Sequence, residues 1–76
     1  METPTSKTFL VDAVDPNGNQ ALTAEPIVAE YDEAHHRYVA RHPKLGEGKP
    51  AHIAEAAVGR LLTANDLSLR GIKVKP

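Results

Sequence analysis

Few side chains in this sequence could do chemistry. There is no cysteine, which removes a thiolate nucleophile and thiolate ligands for zinc. The serines are Ser6, near the N-terminus, and Ser68. Four histidines remain: His35, His36, His42 and His52. A zinc site needs three or four ligands converging at about 2 Å. Neighbours such as His35 and His36 point to opposite faces of a strand, or diverge by about 100° on a helix. His35 and His42 share a helical face only about two turns apart. These spacings predict ordinary surface or edge histidines, with no metal and no cofactor. Carboxylates and histidines without a nucleophile, on a chain of 76 residues, leave little volume for a pocket of about 300 Å3. The expectation is a protein without catalytic residues, not an enzyme.

The letters Asp-Glu-Ala-His at 32–35 spell a helicase motif. That chemistry also needs a phosphate-binding G-x-x-x-x-G-K-[ST] loop, which this sequence lacks. Basic residues are the better candidates. Arg37, Arg41, Lys44 and Lys49 fall within one short stretch and are the expected partner-binding residues. The net charge is −1, but it is segregated. Residues 1–34 carry one basic and seven acidic side chains, and residues 35–76 carry eight basic and three acidic ones. Folding can pair the two halves internally, or leave a bipolar surface that steers a charged partner.

Which elements position these residues? Residues 1–6 read as a polar, disordered tail, and 7–76 as one small domain. "TFLVDAV" (8–14) reads as a strand. Asp15-Pro16-Asn17-Gly18 follows as a tight turn, because proline presets φ and glycine tolerates φ > 0. A weaker return strand lies near 19–24. Segment 26–42 reads two ways. As a helix, Ile27, Val28, Tyr31, Ala34, Tyr38 and Val39 form one stripe. As a hairpin turning at Asp32–His35, Tyr38 and Ala40 face one way and Arg37, Val39 and Arg41 the other. The clustering of β-branched and aromatic residues into two runs favours the hairpin. "PKLGEGKP" (43–50) reads as a loop.

The stretch 50–65 predicts an amphipathic helix. Pro50 stands in its first turn, Ile53, Ala54, Ala57, Val58 and Leu61 form its apolar stripe, and Asn65 gives a left-handed stop. Asp66 would cap a further turn through Leu69. "RGIKVKP" (70–76) reads as an edge strand guarded by lysines. Ile53, Ala57, Val58 and Leu61 should meet Phe9, Val11, Tyr38 and Ile72 or Val74. The fold class is therefore α+β, an antiparallel sheet of three to four strands with one helix on one face. No run reaches the roughly 20 apolar residues of a membrane span. Without cysteines or the layout of a signal peptide, a cytoplasmic protein is expected.

"GEGKPAHIAEAAVGRLL" (46–62) resembles the C-terminal half of a double-stranded RNA-binding domain. There a glycine-bearing strand end enters an alanine-rich helix, and lysines at the helix start grip phosphates. Only Lys49 stands at that place here, Pro50 and Ala51 follow it, and residues 1–25 hold no counterpart of that family's first helix. In size and layout the chain also resembles antitoxins with a partial ribonuclease-H-like sheet, and phage inhibitors of bacterial defence such as anti-CRISPR proteins. These likenesses imply a phage or bacterial source. The expected function is a non-enzymatic protein-binding module, a small inhibitor of a larger protein or complex. The alternative is a nucleic-acid binder that uses the basic hairpin and loop. Either would act as a monomer or a homodimer, away from membranes.

Overall fold

A computed structural model describes residues 6–75. Residues 1–5 of the expected tail lie outside the described residues, and Ser6 already belongs to the first strand. The elements are β1 (Ser6–Val14), β2 (Gln20–Asp32), β3 (Arg37–His42), β4 (Gly46–Glu47), α1 (Ala54–Ala64) and β5 (Ser68–Val74). All pairings are antiparallel, in the order β4-β3-β2-β1-β5. The described residues thus form an α+β domain, with a sheet of five strands instead of three to four.

Local chemistry accounts for the first two turns. The Asp15 carboxylate accepts the backbone N–H groups of Asn17 and Asn19, both at 2.9 Å. Gly18 takes the left-handed conformation expected of it, with φ 84°. Segment 26–42 is a hairpin. Its loop is Glu33–His36, one residue later than the sequence suggests, because Asp32 still pairs with Arg37. The Tyr31 and Tyr38 rings pack across the two strands at 5.1 Å. Both members of the His-His pair serve this turn. His35 donates to Asp32 at 2.7 Å, and His36 is hydrogen-bonded to the Tyr31 hydroxyl at 3.2 Å.

Strand β1 lies between β2 and the edge strand β5, and both of these neighbours carry a bulge beside Asp12. In β2 the pairing jumps from Val11–Glu25 to Ala13–Leu22, and in β5 from Asp12–Gly71 to Ala13–Leu69. Ala24 sits in the first bulge with φ 47°. The Asp12 carboxylate holds it there by accepting the Ala24 N–H at 2.7 Å.

One face of the sheet carries the core. Phe9, Val11, Ala13, Ile27, Ala29 and Ala40 from the strands meet Ala54, Ala57, Val58, Leu61 and Leu62 of α1. Burying each of the larger side chains contributes about 1.5–3 kcal/mol before entropy is counted. Six of the core residues are alanines, so the helix lies close to the sheet. Gly48, directly after β4, lies against the helix: an added Cβ would stand 2.8 Å from the Leu61 backbone.

The structure corrects five expectations about the C-terminal half. The helix starts at Ala54, not at Pro50, because Ala51 forms an extended bridge to Tyr38 with bonds of 2.7 and 2.9 Å. Ile53 is consequently the N-cap residue, 59% exposed, and not part of the core. The left-handed stop is Asp66 (φ 58°) and not Asn65. The N–H groups of Asp66 and Leu67 bond to the Thr63 and Leu62 carbonyls, closing a Schellman motif. No further turn follows, since β5 begins at Ser68. Within the predicted loop, Gly46–Glu47 pairs with β3 as a fifth strand.

Candidate functional site

Helix α1 covers one face of the sheet, and the other face faces outward. Antiparallel register sets its pattern. Thr8, Val28, Arg41 and Glu47 lie in one row across β1 to β4, Glu30 and Val39 pair in the next, and Leu10 pairs with Pro26. Val39, Val28 and Leu10 therefore form a diagonal apolar stripe over three strands, each half-buried. Charged side chains flank it.

Arg41 is the centre of those charges. Its guanidinium meets Glu30 at 3.3 Å and Glu47 at 2.8 Å. The three side chains are each about half exposed, so these pairs fix geometry more than they add stability. Shallow depressions lie on either side of Arg41. One is lined by Val28, Glu30, Pro43 and Glu47, the other by Asp32, His35, Arg37, Val39 and Pro50. Arg37 stands opposite Asp32 in the register. The hydrogen bond from His35 is the main cause that holds the Asp32 carboxyl below the usual carboxylate range, and the Ala34 N–H adds to it.

The structure does not gather the four candidate basic residues into one site. Arg37 and Arg41 share the open face of β3. Lys44 lies in the β3–β4 turn, and its N–H donates to Nδ1 of His42 at 3.1 Å. Lys49 lies beside the outer side of α1, lining a groove with Ala56, Gly59, Arg60 and Thr63. That position differs from the phosphate grip implied by the double-stranded RNA-binding domain, and the strand order differs too, with β5 following the helix.

His42 is the one buried charged or polar side chain of the described residues. Its Nδ1 accepts the Lys44 and Leu45 N–H groups at 3.1 and 3.3 Å, so Nε2 carries the proton and donates to Glu25 at 2.7 Å. With both nitrogens engaged, this imidazole organises the turn.

Glu30, Glu47 and the stripe Leu10–Val28–Val39 escaped sequence reasoning. The signal was present as strict alternation, Val28-x-Glu30-x-Asp32 against Arg37-x-Val39-x-Arg41. It becomes readable only once the hairpin register is known. Comparison with family models, with curated proteins and with solved structures gives no match to this chain.

Proposed function

We propose that this chain is a non-enzymatic protein-binding module, a stoichiometric ligand or inhibitor of a larger protein, acting in the cytoplasm. Its docking surface is the open face of the sheet. The observation that carries this reading is the arrangement on that face: an apolar diagonal, Leu10–Val28–Val39, bordered by Arg41 held between Glu30 and Glu47. Such a mosaic suits a protein surface. Apolar contact supplies affinity, and fixed charges of both signs supply register and specificity.

The same face argues against the rival reading. Phosphate binding needs uncompensated positive charge. Here Arg37 and Arg41 stand among Glu30, Asp32 and Glu47, and Lys73 and Lys75 at the β5 margin of the same face are the remaining bases beside Asp12, so four basic and four acidic groups leave no net positive charge. Lys44 and Lys49 are placed elsewhere.

The test is an affinity capture from the native host with wild type, Val28→Lys and Val39→Glu, and with Arg60→Glu on the outer side of the helix as a control. The expected result is one protein retained in stoichiometric amount by wild type and Arg60→Glu, and lost with both face variants. A partner retained equally by all four, or nucleic acid retained by wild type, would refute the proposal.

A further inference from the structure

The sheet has two edges, and they differ. β4 is two residues long. β5 is seven residues long, and its outer side borders no other strand among the described residues. Its side chains are also unusual. Leu69, Ile72 and Val74 pair with Ala13, Val11 and Phe9, which are buried under the helix. Directly opposed residues share a face, so all three point to the core side. Yet Leu69 is 42% and Val74 60% exposed, and Ile72 is half-buried. The helix leaves the β5 margin of the core uncovered.

Backbone parity shows which groups face outward. The Lys75 N–H donates to the Thr8 carbonyl at 2.8 Å. Hydrogen-bonded pairs alternate along an antiparallel ladder, so Lys73 and Gly71 also turn their backbone groups towards β1. Ile72 and Val74 then turn theirs to the free edge. We propose that this edge pairs with β5 of a second copy of the chain, antiparallel and centred on Ile72 against Ile72. This inference is independent of the sheet-face reading.

Charge selects that register. Centring the pair on Lys73 would oppose two lysines directly, and centring it on Val74 would oppose Lys73 and Lys75 twice. Like charges directly opposite are destabilising. Centring on Ile72 sets Lys73 against Gly71 of the second copy. Gly71 has no side chain to block the approach, and beside it lies Asp12, whose Oδ2 leans to 3.1 Å from where a Gly71 Cβ would stand. Each Lys73 can lie across the bare glycine of the other copy and reach that carboxylate. On the core side the same register brings the two Ile72 side chains together and covers the open margin. The two Ile72 residues exchange both of their backbone hydrogen bonds across the seam.

The experiment is sedimentation equilibrium of the full chain across the micromolar range, for wild type and Lys73→Ala, with oxidative cross-linking of Ile72→Cys. Wild type should show a concentration-dependent dimer. Lys73→Ala, altering an exposed side chain, should weaken it about fivefold by loss of two interfacial ion pairs. Ile72→Cys, on a chain with no other cysteine, should form a disulfide-linked dimer, because opposed residues of such a pair lie within bridging distance. A monomer at every concentration would overturn the proposal. So would a tighter dimer from Lys73→Ala, which would mean that the two lysines oppose each other.

Discussion

Substituting Gly48 by alanine probes the contact that sets the distance between helix and sheet. The new Cβ would stand 2.8 Å from both Cα and N of Leu61, and 2.9 Å from its Cβ. Ordinary carbon contacts lie at about 3.5–4.0 Å, so something must move by roughly 0.7 Å or more. Gly48 cannot recede easily, since its N–H is bonded to the Ala40 carbonyl at 2.9 Å and nearby Ala51 is tied to Tyr38. The helix must lift instead, which loosens Leu61, Leu62 and Val58 against the sheet. Overpacking of this kind costs about 1–3 kcal/mol, a large share of the roughly 4–11 kcal/mol expected for a domain of this length. The assay is urea unfolding followed by circular dichroism. With a slope of about 1 kcal/mol/M, the midpoint should fall by about 1–3 M. Gly59→Ala is the control: nothing lies within 4 Å of the added Cβ in mid-helix. It should stabilise by about 0.5–1 kcal/mol through helix propensity. If Gly48→Ala shifted the midpoint no more than a surface change, or in the same direction as Gly59→Ala, the packing argument would be wrong.

Three other outcomes follow from single residues. Asp66→Gly should stabilise by about 1 kcal/mol, read as a higher urea midpoint, because a left-handed residue with φ 58° closes the Schellman motif without the freedom of glycine. Ile53→Asp should stabilise by about 1 kcal/mol in the same assay, since the N-cap has extended dihedrals but no capping side chain. The Asp32 carboxyl is held below its ordinary value of 3.8 by His35. Its contribution is therefore present above that ordinary value and disappears as pH falls through the lowered one. Wild type should have the higher unfolding midpoint at pH 5, and the gap to Asp32→Asn should close as acid protonates the Asp32 carboxylate. A difference that persists at the lowest pH would break the assignment.

Elements marked by turn chemistry or by large apolar side chains were legible in the sequence. Asp15–Gly18 announced the first hairpin, and Val58 and Leu61 announced the helix. Segment 26–42 stayed ambiguous because Ile27, Tyr31 and Tyr38 fit a helical stripe and a strand face equally well. What decides it are Ala29, Ala40 and His42 on the inner face, residues too small or too polar to register as core. The helix start is not legible in the sequence because the Ala51–Tyr38 bridge is a tertiary matter, and the same bridge leaves Ile53 outside the core. Arg37, Arg41, Lys44 and Lys49 are close in sequence but not in space. Register alone revealed that Arg41 belongs with Glu30 and Glu47, while Lys49 belongs to the other side of the molecule.

Retention of mixed-sequence RNA and DNA at low salt, by wild type and by a Glu30→Gln/Glu47→Gln variant, tests the central claim about the open face. Wild type should bind neither, because its arginines are already matched by carboxylates, and the variant should acquire weak, salt-sensitive binding through the released Arg41. Salt-sensitive binding by wild type that Arg37→Ala and Arg41→Ala abolish would contradict the account, and would make that face a nucleic-acid surface.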